Sequence, residues 1–234
     1  GKNKDGNNFI GEAFKNGACL AVVNKINKSG KKNNQIKVKN SLDFLRKTSE
    51  IIRQNSSPKI IAITGSCGKT SLKEMLKKTL NKFGTTSSSP KSFNNKYGVP
   101  LSLFNLNPKH EYGVFEIGMD KKGEIDYLSK ILKPNVGIIT NISYAHAKNF
   151  KNIKQIAMAK AEMINNIVTN GTIVLNADDL FFNLHKKIAL KKKLKVLTFS
   201  INKKSNVRLK YIKKEKNKFK ISIIINKKNK FFYI

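Results

Sequence analysis

The residues Thr64-Gly65-Ser66-Cys67-Gly68-Lys69-Thr70 have the types and spacing of a phosphate-binding loop. They stand between an apolar, β-rich run, Lys59 to Thr64 (KIIAIT), and an amphipathic stretch, so that a strand feeds the turn and a helix leaves it. Glycines in such a turn let backbone N–H groups curl round phosphate oxygens, and the helix N-terminus adds its positive dipole end. Lys69 supplies a cation for the β and γ phosphates, and the Thr70 hydroxyl is a hard oxygen ligand for Mg2+. The expected nucleotide contacts are Gly65, Ser66, Cys67, Gly68, Lys69, Thr70 and Ser71, with ATP as the ligand. The longer GxxxxGKT form would want glycine where this chain has Ile63, so the pattern is the shorter TGxxGKT. A chance Gly-Lys-Thr turn is the alternative, and the flanking strand and helix weigh against it.

Other residues stand where chemistry is done in an α/β protein. Glu116 falls in the apolar run 112–117 (YGVFEI); ligands gather at the carboxyl ends of parallel strands, and the chain has only 14 acidic residues to place there. His146 follows a second such run, 136–140 (VGIIT), and a turn; a lone histidine is more often structural than a ligand, and the chain has 3. Lys160 shares an apolar helix face with Ile153, Ile156, Ala157, Met163 and Ile164, where an amine either snorkels to water or is neutralised by burial. A neutral amine can add CO2, giving a carbamate that is an anionic oxygen ligand. Asn94 and Asn95, ahead of Gly98-Val99-Pro100, suit either plain turn chemistry or contact with a substrate. Asn176 and Asp178, after the run 172–175 (TIVL), suit an Asx turn or the neighbourhood of a nucleotide.

The elements that must position these groups alternate. Strands are expected at 59–64, 112–117, 136–140, 172–175 and 195–199, and helices after the phosphate loop, near 124–132 and at 153–168. In the first of those helices Leu72, Met75, Leu76, Thr79, Leu80 and Phe83 read as one apolar stripe with lysines opposite. The alternation implies a mainly parallel sheet flanked by helices, of the P-loop type. Residues 206–212, 217–225 and 230–234 alternate apolar and polar positions between lysine-rich turns and read as an antiparallel β appendage. Before the core, 9–23 reads as a helix and a strand, 36–38 as a short strand and 42–53 as a helix, with a boundary at Asn55-Ser56-Ser57-Pro58. Residues 1–54 are thus expected to be a partial N-terminal α/β domain and 55–234 a central nucleotide-binding domain.

Composition bounds the rest. Hydrophobic residues at 39% suffice for a packed core, which excludes disorder throughout. Against 47 Lys+Arg stand 14 Asp+Glu, a net charge of +33, but the lysines are spread over every segment, whereas nucleic-acid binders focus charge on one face. The runs at 191–193, 213–214 and 227–228 read as solvated faces and edge-strand protection. A basic module that binds polyanions, with ATP as a switch, is the competing reading. Cys19 and Cys67 form no CxxC pair, so neither a zinc site nor a disulfide framework is expected, and a reducing, cytoplasmic compartment fits. The apolar runs are far shorter than the roughly 20 residues a membrane helix needs.

Several motifs taken in order resemble the Mur ligases, which join amino acids to UDP-N-acetylmuramoyl peptides. ITGSCGKTSLKEML, with Lys73-Glu74-Met75 after the loop, resembles their nucleotide-binding segment. FNNKYGVPLSL, Phe115 to Met119, Asn141-Ile142 with His146, Ala159 to Glu162 and Asn176 to Asp178 follow in the family's order, and DGNNFIGEAFKNGACLAVV resembles the end of a UDP-binding domain. Folylpolyglutamate synthases share the core, but usually with a GKGS-type loop in place of the GKTS found here. The likeness is to the branch that adds D-alanyl-D-alanine to UDP-N-acetylmuramoyl-tripeptide in peptidoglycan synthesis, through an acyl phosphate. It implies two Mg2+ ions held by Thr70, Glu116, His146 and a carbamylated Lys160, with Lys69, Lys160 and His146 serving catalysis. It also implies nucleotide contact at Asn176 and substrate contact at Asn94 and Asn95. After His146 the chain has Ala147-Lys148-Asn149-Phe150 where the family usually has Leu-Glu-Gly-Phe. The family's C-terminal domain has no counterpart in the residues read, so the piece is expected to be inactive alone; the complete enzyme is expected to be a monomer.

Overall fold

The computed structural model describes residues 5–28, 32–144 and 149–234. A turn of 3-10 helix (Gly6–Phe9) runs into α1 (Ile10–Lys15), which ends at Gly17 with φ +92°. Two short strands, β1 (Ala21–Val23) and β2 (Gln35–Lys37), pair in parallel as a sheet of their own. α2 (Ser41–Gln54) begins where the Asn40 side chain accepts the amides of Leu42 and Asp43, satisfying two of the donors a helix start leaves free.

The main sheet follows. Its elements are β3 (Lys59–Thr64), α3 (Lys69–Leu80), β4 (Thr86–Ser88), α4 (Gly98–Leu103), β5 (Tyr112–Glu116), α5 (Glu124–Leu132) and β6 (Val136–Ile139), then α6 (Ile153–Asn165), β7 (Thr172–Asn176), α7 (Phe182–Lys191) and β8 (Lys195–Ser200). β9 (Val207–Glu215), β10 (Lys218–Ile225) and β11 (Lys228–Tyr233) complete it. The nine strands lie in the order β11-β10-β9-β8-β7-β6-β3-β5-β4. Pairing is parallel from β4 through β9 and antiparallel from β9 to β11, so the expected appendage is a continuation of the same sheet.

β3 is central, with β5 on one side and β6 on the other. The chain visits β4 and β5 first and then crosses β3 to reach β6, which opens a crevice at the carboxyl ends of these strands. Alternation along β3 feeds both faces. Ile60 and Ala62 join the larger core under α4, α5 and α6, while Ile61 and Ile63 pack with Val114 and Ile138 beneath Leu72, Leu76 and Leu80 of α3. At the end of α2, Arg53 donates to the carbonyls of Leu132 (2.7 Å) and Lys133 (3.3 Å), fastening α2 to the last turn of α5.

The expected strands and helices of the core are present, with ends differing by up to three residues. β4, α4 and α7 carry no clear periodicity. α4 has Pro100 in its first turn, and α7 turns His185 and Ala189 to the interior. The apolar stripe of α3 is narrower than expected: Met75 and Phe83 are 66% and 73% exposed, and Lys73 is buried beside Leu72 and Leu76. The helix rests on its i, i+4 row, and the neighbouring row of Met75, Thr79 and Phe83 faces solvent.

Candidate active site

β3 delivers the chain to Gly65, whose φ is +145°; a Cβ there would lie 1.9 Å from Thr140 Oγ1. Gly68, at φ +80°, caps α3 in the left-handed region, so both glycines are needed for the turn. The segment after β6 supports the loop from below. Ser66 N–H donates to the Asn141 carbonyl (2.9 Å), and Cys67 N–H donates to Asn141 Oδ1 (3.1 Å). The Thr140 hydroxyl donates to the Cys67 carbonyl (2.7 Å), Ser66 Oγ donates to the Ser143 carbonyl (3.0 Å), and Ser143 N–H donates back to Ser66 Oγ (2.8 Å). Asp179, beyond β7, in turn accepts Ile142 N–H at 2.8 Å. The amides of Lys69, Thr70 and Ser71 lie in the first turn of α3, where no carbonyl four residues back within the helix can take them.

Two ammonium groups meet at the loop. Lys69 Nζ donates to the carbonyls of Gly65 (3.0 Å) and Ser66 (3.3 Å), and Lys160 Nζ, reaching in from α6, donates to the same Gly65 carbonyl at 2.9 Å. Lys160 is 2% exposed, and the choice between snorkelling and burial falls to burial. Loss of solvent, helped by the nearby charge of Lys69 and opposed by Cys67, lowers its pKa to about 8.

Glu116 is buried at the end of β5 and is held from two sides. Thr70 Oγ1 donates to Oε2 at 2.7 Å, and Asn94 Nδ2 donates to Oε1 at 2.7 Å. Octahedral Mg2+ with oxygens at about 2.1 Å separates neighbouring ligands by about 3.0 Å. A hydroxyl and a carboxylate oxygen 2.7 Å apart therefore fit one edge of such a shell. A hydroxyl and a single carboxylate are the oxygen donors suited to Mg2+, which keeps phosphate and water ligands beside one or two protein groups.

Lys69, Asn94, Asn95 and Lys160 line one cleft of about 530 Å3, with Tyr97, Gly118, Asp120, Lys121 and Tyr127 among its other walls. A second cavity of about 520 Å3, against Phe150, Met158 and Ile188, holds none of these groups. Asn94 and Asn95 have different duties. Asn94 reaches Glu116, whereas Asn95 Oδ1 accepts the amides of Tyr97 (3.0 Å) and Gly98 (2.9 Å) at the start of α4. Asn176 Oδ1 accepts Asp178 N–H (3.0 Å) in an Asx turn, Asp178 is occupied by the amides of Ile201, Asn202 and Lys203, and neither lines the cleft. His146 lies outside the described residues.

Sequence reasoning missed Thr140 and Ser143 as supports of the loop and gave Asn141 no role beyond a motif. The signal was their position at the carboxyl end of the strand beside β3. It also missed Glu162, whose carboxylate accepts Gly123 N–H (2.9 Å) and Asp126 N–H (3.1 Å) and so caps α5 along the cleft wall.

A family model described as the Mur ligase middle domain matches residues 63–233. A UDP-N-acetylmuramoyl-tripeptide–D-alanyl-D-alanine ligase of Buchnera aphidicola subsp. Baizongia pistaciae is 38% identical over 207 residues, 88% of this chain and 45% of that protein. A crystal structure of MurF from Acinetobacter baumannii superposes with a TM-score of 0.87 at 30% identity, covering 100% of this chain and 51% of that one. The MurF ligase of Thermotoga maritima in complex with ADP gives a TM-score of 0.86 at 27% identity, covering 100% and 53%. This chain thus spans about half the length of these relatives. The match across most of the nucleotide-binding core, and not the loop alone, decides the assignment: the chain belongs to the Mur ligase family.

Proposed function

We propose that this chain is the ATP-binding core of a ligase that adds D-alanyl-D-alanine to UDP-N-acetylmuramoyl-tripeptide, in the cytoplasm, as a step of peptidoglycan synthesis. The observation that carries the reading is the junction of Thr70, Glu116 and Asn94 beside Lys69, which joins a phosphate loop, a metal edge and a substrate-sized cleft. The printed activity of relatives such as the Buchnera protein names the reaction class. Two exposed free thiols, Cys19 and Cys67, fit a reducing compartment, and among the described residues no helix is long and apolar enough to cross a membrane.

In this reading the terminal carboxylate of the tripeptide attacks the γ-phosphorus of ATP, and ADP leaves as an acyl phosphate forms. The amine of the dipeptide then attacks the acyl carbon, phosphate departs, and the amine proton is released to solvent. The first-turn amides of α3 and Lys69 hold the phosphates and oppose the charge that builds on the transferred group. Thr70 and Glu116 would hold Mg2+, which would supply neutralisation of phosphate charge. Lys160 is the candidate for carbamylation and for a second metal. At pH 7.5 a pKa of about 8 leaves roughly a quarter of its amine neutral, against about one in a thousand for an ordinary lysine. Asn94, Asn95 and the cleft wall take the acceptor.

The test is made in an enzyme of the relatives' full length that carries these residues. ADP release that requires both the tripeptide and D-alanyl-D-alanine is the expected result, with Lys69→Ala lowering kcat/KM by about 100- to 1000-fold. Preference for another amino substrate would contradict the assignment within the family.

A further inference from the structure

Lys73 is a fully buried lysine that the reaction itself does not use. It stands three residues after Thr70 on α3, so the two side chains leave the same helix face. Its ammonium donates to the Ser89 carbonyl at 2.8 Å and to the Lys91 carbonyl, and the Glu74 carboxylate is 3.0 Å away. Three donors thus meet three acceptors, which is the condition for keeping such a group out of water. Both carbonyls belong to the segment after β4. Within it Lys91 adopts φ +45°, a left-handed conformation that a residue with a Cβ enters only when its surroundings hold it there. The same segment meets Glu116 twice: Ser89 Oγ accepts the Glu116 amide (3.3 Å), and Asn94 donates to the carboxylate. A side chain without donors would leave the Ser89 and Lys91 carbonyls without this partner, so the ammonium is there for the carbonyls it holds.

We propose that Lys73 is a positioning residue that staples the 89–95 segment to the helix of the phosphate loop, so that Asn94 meets Glu116 and the Asn94–Tyr97 wall of the cleft keeps its place. Only the identity of the acceptor rests on the reading given under Proposed function. In an enzyme of the relatives' full length that carries these residues, amide exchange followed by mass spectrometry is compared for wild type, Lys73→Met and Lys73→Arg, alongside the affinities for Mg·ADP and for UDP-N-acetylmuramoyl-tripeptide. In Lys73→Met, exchange over 91–97 is expected to rise at least about tenfold, with β3 and β5 unchanged. Tripeptide affinity is expected to fall about tenfold and ADP affinity less than about threefold, with partial recovery in Lys73→Arg. Unchanged exchange over 91–97, or an equal loss of protection across β3 and β5, overturns the proposal. A wild-type full-length enzyme that binds ADP but no tripeptide overturns the substrate reading, while the exchange result still decides the role of Lys73. If Lys73→Met shows no cooperative melt, Lys73→Gln, which keeps a donor, takes its place in the same comparison.

Discussion

Lys69 and Lys160 share the Gly65 carbonyl, and burial makes the two lysines chemically unlike. Lys69 is half-buried and bonded to the loop carbonyls of Gly65 and Ser66; Lys160 is sealed in the core with a lowered pKa of about 8. The carbamylation proposed for Lys160 would draw on that difference, because only a neutral amine adds CO2. In 13C-bicarbonate the chain is expected to show a carbamate resonance that is retained after dilution of free bicarbonate and is missing in Lys160→Arg. A spectrum identical in the two proteins would contradict the proposed role of Lys160 as a metal ligand. Lys69, Thr70 and Glu116 stood out in the sequence because a strand followed by a glycine turn, or ending in an acid in an acid-poor chain, marks a place in a parallel sheet, and Lys160 stood out because it interrupts an apolar helix face. Lys73 was not, because a lysine in a lysine-rich helix looks like a solvent residue until its two carbonyl partners, 16 and 18 positions away, are seen.

At the scale of elements, the phosphate loop is set by two neighbours, β3 and the segment after β6. Asn141 takes the amides of Ser66 and Cys67 through its carbonyl and side chain, and its own amide meets the Cys67 carbonyl at 3.3 Å. Asn141→Ala removes the side-chain part of that support and leaves the strand ladder. It is expected to cost about 1 kcal/mol of stability and to weaken Mg·ADP binding about tenfold, read by thermal melting and calorimetric titration. A variant that melts lower but binds ADP normally would show that the support serves folding alone. Periodicity made the long elements legible, since β3, β6 and α5 bury what their patterns say they should. It failed for β4 and α4, whose short spans are set by long-range partners: β4 by pairing with β5, and α4 by the Asn95 cap and packing on α2. No local pattern records such partners.

Over the whole molecule, the +33 charge is dispersed, while the buried titratable groups carry specific consequences for stability. His185 of α7 is buried and shares a 3.1 Å hydrogen bond with the Ala157 carbonyl of α6. Burial lowers its pKa below 6.5, against the raising effects of that hydrogen bond and of Asp179. The unfolded chain therefore binds the proton first as pH falls. This contribution is complete above pH 6.5 and is lost as pH falls from 6.5 through the lowered folded value. Urea unfolding at pH 7.5 and 5.5 should show it, with a smaller pH dependence in His185→Gln; an equal dependence in both proteins would assign the effect elsewhere. In the proposed function the nucleotide's phosphates lie on 65–71 and its metal sits between Thr70 and Glu116. A crystal structure of the chain with Mg2+ and a non-hydrolysable ATP analogue measures both at once. The expected result is a metal about 2.1 Å from Thr70 Oγ1 and from a Glu116 carboxylate oxygen, with Lys69 turned from the Gly65 carbonyl onto phosphate. Phosphates bound elsewhere, with the Thr70–Glu116 hydrogen bond intact, would contradict it.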